Sequence, residues 1–194
     1  MNIFKKLCSV LLTVALLATI ASSFFTSVQQ NTAGGYSTLS TITERSATWL
    51  LQQFGHCQTV PELLDAIDRF GCEHFEYDLQ PVFFQAFDLD KFLFKDHFHG
   101  VCFDFSCFVK CAVLVWREAK GRTDVQVFVY DVRTRKGGHS YNFITEAGHT
   151  WFLCLTSNNT RTSKGKPSLG AIEITGTSPK EYSKSYEEIV YNIH

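Results

Sequence analysis

The sequence predicts an α+β fold, and three observations carry that prediction. Helical patterns occupy the chain from about residue 43 to residue 120, and β-rich runs separated by turn-forming segments follow them. The composition, 45% hydrophobic and 14% aromatic over 194 residues, is enough to bury a sizeable core within one domain of roughly 150 residues plus an N-terminal extension.

The helices come first. Thr43 to Phe54 places Ala47, Leu50, Leu51 and Phe54 at helical spacing, and Thr59-Val-Pro-Glu62 is a capping-box pattern that opens a second helix ending at Phe70, where Gly71 stops it. Phe75-Glu-Tyr77 reads as a brief extended piece, and the residues after Asp88 as one or two helical turns. The run FDFSCFVKCAVLVWREAK, Phe103 to Lys120, is apolar nearly all round and leaves a narrow stripe of Ser106, Lys110, Arg117 and Lys120 for solvent. It is therefore a central, buried helix, ended by Gly121. Val125–Tyr130, His139–Ile144 and Trp151–Leu155 are strands, Ala171–Ile174 adds a fourth, and Ser178-Pro-Lys-Glu opens a terminal helix.

Ahead of this domain, Lys5 and Lys6 precede an uncharged run from Leu7 to Phe25, so residues 1–28 read as an export signal. Left uncleaved, that run is long enough to anchor the chain, which would be its one association with a membrane. Residues 29–42 form a polar tether and residues 43–194 the folded domain. Such a leader implies a secreted or extracytoplasmic protein. A net charge of -1 carries no basic excess, which argues against nucleic acid as a partner.

Six cysteines remain beyond the leader: Cys57, Cys72, Cys102, Cys107, Cys111 and Cys154. In an oxidising compartment Cys57 and Cys72, at the two ends of the second helix, are the pair expected to form a disulfide. His56-Cys57 and Cys72-Glu-His74 have little metal-ligand character, and no metal or cofactor is expected. Cys107 and Cys111 are small core hydrophobes. Cys102 differs from them. A cysteine in the first turn of a helix meets unpaired backbone N–H groups and the positive end of the dipole, which stabilise a thiolate. Gly100, two residues earlier, would let substrate or another backbone approach closely. Asp104, in the same turn, opposes thiolate formation unless it is paired or points away. A nucleophilic thiol needs a base, and His139 at the start of a strand, sharing one face with Tyr141 and Phe143, is the best-placed histidine.

These pieces resemble, in their order, the transglutaminase-like family of papain-like cysteine enzymes over roughly residues 73–158. The matching pieces are Phe75-Glu-Tyr77, GVCFDFSCFVKCAVLVWREAKG from Gly100, GHSYNF from Gly138 and GHTWFLCL from Gly148. The resemblance implies N-terminal helices and a buried central helix packed on a mainly antiparallel sheet. It implies Cys102 as nucleophile and His139 as base, acting on a peptide or protein substrate through a thioester, with hydrolysis favoured over cross-linking. The alternative is a non-catalytic module binding peptide or cell-envelope polymer. Where the family carries an aspartate to orient the histidine, this chain has Leu155. A hairpin turning at Ala147-Gly148 sets His139 opposite Thr156, one further loop residue makes it Ser157, and Asn158 shares the face of Thr156. The third position stays open among Asn158, Ser157 and Thr156, and a bare Cys-His dyad or an inactive site is equally open.

Overall fold

The computed structural model describes residues 41–78, 87–134, 137–156, 171–183 and 185. The leader, Ser157 and Asn158 lie outside them. Four helices precede or adjoin the sheet: α1 (Glu44–Phe54), α2 (Val60–His74), α3 (Leu89–Phe94) and α4 (Cys102–Ala119). Two short strands, β1 (Glu76–Tyr77) and β2 (His99–Gly100), pair in parallel. The main sheet is an antiparallel meander of β3 (Gln126–Thr134), β4 (Gly137–Glu146), β5 (His149–Leu153) and β6 (Ile172–Glu173). Helices first and strands after make this an α+β fold. None of the described helices is long and apolar enough to cross a membrane.

Local chemistry starts each helix. Thr43 caps α1, accepting the Ser46 N–H at 3.2 Å while Ser46 Oγ accepts the Thr43 N–H at 3.0 Å. At α2, Thr59 Oγ1 accepts the Glu62 N–H, and the Glu62 carboxylate reaches back to the Gln58 N–H at 2.7 Å. This helix runs past its expected stop: Gly71 lies inside it, and the Phe75 N–H closes on the Gly71 carbonyl at 2.9 Å. An internal glycine costs about 1 kcal/mol relative to alanine. The rings on either side outweigh that cost, since Phe70 stacks on Phe108 and Phe75 packs edge-on against the same ring.

Helix α4 lies across one face of the sheet. Its apolar residues form the main core with α1, α2, α3 and the β4 and β5 residues Ile144, Trp151 and Leu153. The expected solvent stripe is only half realised. Ser106 and Lys110 are both buried, and β4 covers Ser106: Asn142 Nδ2 donates to the Ser106 carbonyl at 3.0 Å. Arg117, further along, donates to the Val125 carbonyl at 3.1 Å and stays half-exposed. The opposite face of the sheet carries a second cluster of Tyr141, Phe143, Phe152, Cys154 and Ile174, on which Tyr130 and Tyr182 pack.

The expected Cys57–Cys72 disulfide is not formed. The Cys57 thiol donates instead to the Glu62 carbonyl at 3.7 Å, inside the turn that starts α2, while Cys72 sits on the last turn of the same helix. A straight helix between them holds the two sulfurs at its opposite ends.

Candidate active site

The ledge before Cys102 is built by backbone pairing. β1 and β2 align Glu76 with His99 and Tyr77 with Gly100, and the Asp78 N–H donates to the Gly100 carbonyl at 2.8 Å. His97 and Phe98 just upstream have φ of 50° and 65°, which a bulky side chain rarely adopts. The Phe98 conformation is held by its N–H bond to the Phe92 carbonyl and by ring contacts to Trp49, Phe70 and Phe75. The chain then turns at Val101 and enters α4, so Cys102 is the first residue of an 18-residue helix, where the sequence puts it. Cys102 is buried, at 7% exposure, and belongs to neither apolar cluster.

Asp104 points back along the helix. Its Oδ2 accepts the Val101 N–H at 2.9 Å, and the carboxyl is held above its ordinary range chiefly by burial. It thus satisfies one of the donors at the helix start that a thiolate would share. Gly100 makes this possible, since a Cβ there would lie 2.8 Å from the Cβ and the Oδ2 of Asp104. The missing side chain is used by the protein's own carboxylate.

His139 lies near the start of β4, paired with Val132 of β3. Alternation along β4 gives its two faces different partners. Asn142 and Ile144 meet α4 and the main core, while His139, Tyr141 and Phe143 face the second cluster. The imidazole accordingly sits beside another sulfur: His139 Nε2 and Cys154 Sγ are 3.3 Å apart, within hydrogen-bond reach. Among the described residues no hydrogen bond joins Cys102 to His139.

The hairpin turns where the sequence places it, at Ala147-Gly148, with φ of 48° and 85° and Glu146 opposite His149. Continuing the register would bring Thr156 opposite His139. The ladder stops first, at Asn142↔Leu153, and residues 155 and 156 are already helical. Thr156 is buried with its hydroxyl unpartnered among the described residues, and Leu155 is 3% exposed in the main core. Ser157 and Asn158 fall outside the described residues.

A further polar group lies under the sheet and was not legible as such in the sequence. Ser140 Oγ donates to Asp131 Oδ1 at 2.5 Å on the α4 face. Burial pushes the Cys107 thiol well up, with the neighbouring Cys111, Asp104 and Asp131 acting in the same direction, and burial pushes the Lys110 ammonium down. These are the signs of an inert interior, as Cys107 and Cys111 were expected to be. Among the described residues no three His, Cys, Asp or Glu side chains converge as metal ligands. An open groove of about 650 Å³ runs between α1 and α3, lined by Arg45, Trp49, Asp90 and Phe94 among others, and contains neither Cys102 nor His139.

No protein-family model and no curated protein matches the chain. Among solved structures, a protein provisionally named a cysteine protease from Cytophaga hutchinsonii is similar, at 15% identity, over 58% of this chain and 37% of that one, with a TM-score of 0.43. The chain therefore spans little more than a third of that protein's length, and a likeness this slight assigns neither family nor activity.

Proposed function

We propose that the protein is an exported cysteine enzyme of transglutaminase-like architecture that hydrolyses amide or peptide bonds. The observation that supports it is the position of Cys102 as the first residue of a buried helix, on a ledge fixed by the β1–β2 pairing. In this reading Cys102 Sγ attacks the substrate carbonyl carbon and its proton passes to His139. The carbon–nitrogen bond breaks, the amine leaves with that proton, and water then opens the thioester. The first-turn N–H groups of α4 favour the thiolate. One requirement is definite: the start of β4 must turn the imidazole from Cys154 toward Cys102.

The position of His139 favours a second reading, in which the same domain is a non-catalytic module for peptide or cell-envelope polymer. His139 faces away from α4, and Leu155, at the position of the family's aspartate, is core. Acylation by p-nitrophenyl acetate separates the two. The enzyme reading expects a burst of nitrophenolate with the acetyl group found on Cys102 by peptide mapping, lost in Cys102→Ala and slowed at least tenfold in His139→Ala. An identical release rate in wild type and Cys102→Ala rejects it.

A further inference from the structure

The sheet face remote from α4 holds a thiol and an imidazole in contact, and a helical segment packs on the aromatic residues of the same face. Cys154 and His139 approach to 3.3 Å between Sγ and Nε2. The same face holds Tyr141, whose hydroxyl bonds to Ser183, and the aromatic pair Phe143 and Phe152. Residues 179–183 are helical, started by Ser178, whose N–H and hydroxyl both donate to the Glu181 carboxylate. Tyr182 from this segment packs on Phe152 at 5.1 Å and on Phe143 at 6.3 Å between ring centroids. Cys154 is 3% exposed and belongs to the same cluster, against which Tyr182 packs.

A cysteine paired with an imidazole differs from a cysteine packed among hydrocarbons. The ring nitrogen can take the thiol proton without solvent, leaving a thiolate beside an imidazolium, which is the arrangement that activates a sulfur nucleophile. Cys107 shows the contrast on the other face, where burial and neighbouring negative charge work against ionisation. The low exposure restricts the partner to a small electrophilic carbon, or to a larger one once residues 178–183 lift away.

We propose that Cys154, activated by His139 and roofed by the 178–183 segment, is a nucleophilic thiol site for small electrophilic acyl or alkyl groups. With iodoacetamide as probe the step is an S-alkylation. The Cys154 sulfur bonds to the methylene carbon, the carbon–iodine bond breaks, iodide leaves, and the thiol proton stays on His139. The inference shares the cysteine chemistry of the proposed function but gives the imidazole to a different sulfur.

The test is site-resolved iodoacetamide labelling of the full chain at pH 6 and pH 9, read by peptide mass spectrometry. The ratio of the two rates cancels the shielding that a cover imposes at both pH values. An ordinary thiol, with pKa near 8.5, slows more than a hundredfold over this range. Cys154 should slow by less than about tenfold in the wild type and regain the hundredfold fall in His139→Ala and His139→Asn. Tyr182→Ala should raise its rate at both pH values and leave the ratio unchanged. A hundredfold fall in wild-type Cys154 overturns the inference, as does a ratio insensitive to His139 or a Cys154 that stays unlabelled even in Tyr182→Ala. A shallow, His139-dependent ratio at Cys102 with an ordinary one at Cys154 rejects this inference and leaves the proposed function standing. The reverse pattern does the opposite.

Discussion

Asp104 occupies the space that a side chain on Gly100 would need: a Cβ on Gly100 falls 2.8 Å from the Asp104 Oδ2, the oxygen that accepts the Val101 N–H. Gly100→Ala should therefore destabilise the protein by about 1–3 kcal/mol, the usual range for overpacking. In the double variant Gly100→Ala, Asp104→Gly the clash is gone, because neither the Cβ nor the carboxylate of residue 104 remains. Its urea midpoint should match that of Asp104→Gly alone, and full additivity of the two single effects would exclude this account.

Asp104 also sets a pH dependence. Its folded-state carboxyl titrates above the ordinary value near 3.9, so the folded state favours the protonated form. Its contribution to stability is complete below that ordinary value and is lost as pH rises through the raised one. Asp104→Asn keeps an acceptor for Val101 and carries no charge. Urea unfolding from pH 3.5 to 7 should show wild type losing ground to the Asn variant as pH increases, then a constant gap. A gap that closes with rising pH would contradict the burial argument.

Lys110 gives the opposite sign. Burial lowers its folded-state pKa, and among the described residues it has no ion-pair partner, so its charge is a burden at neutral pH. Lys110→Met should be more stable than wild type at pH 7. The advantage should shrink as pH rises through the lowered lysine value toward the ordinary one near 10.4. Thermal unfolding at pH 7 and pH 9.5 reads both points, and a Met variant that melts lower at pH 7 counts against the argument.

Leu155→Asp puts an aspartate where the transglutaminase-like sequences that this chain resembles carry one. Because Leu155 is 3% exposed in the main core, the substitution buries a carboxylate among hydrocarbons and should cost about 3 kcal/mol or more. Loss of the cooperative thermal transition is the expected result. A stable Leu155→Asp protein with faster acetyl transfer would instead mark that position as part of a triad.

The order of elements was readable because their signals are local. FDFSCFVKCAVLVWREAK is too continuously apolar to be anything but a buried helix, and Ala147-Gly148 takes the positive φ values that a tight hairpin needs. The face that His139 occupies was not readable. Alternation normally tells a strand's core side from its wet side, but β4 is covered on both. Tyr141 and Phe143 look like the core face, yet the side meeting α4 carries Ser140, Asn142 and Ile144. The same cover explains why Ser106, polar enough to read as solvent-facing, is enclosed. The end of α2 lies beyond the place its sequence suggests because Gly71 has a backbone preference that the stacking of Phe70 on Phe108 and the edge-on packing of Phe75 against the same ring override.

The β1–β2 pairing also bears on the order in which the chain folds. Each neighbouring pair in β3, β4 and β5 is joined by a short connection, so the meander closes small loops and can form early. The parallel pairing of Glu76 with His99 brackets all of α3 and closes a much larger loop, whose entropy must be met before the contacts reward it. A refolding chain is therefore expected to have its sheet before it has the ledge that presents Cys102. A brief alkylation pulse should modify Cys102 early in refolding and spare the core thiols Cys107 and Cys111 once α4 has docked. The residue with the most chemical promise is then also among the last to find its place.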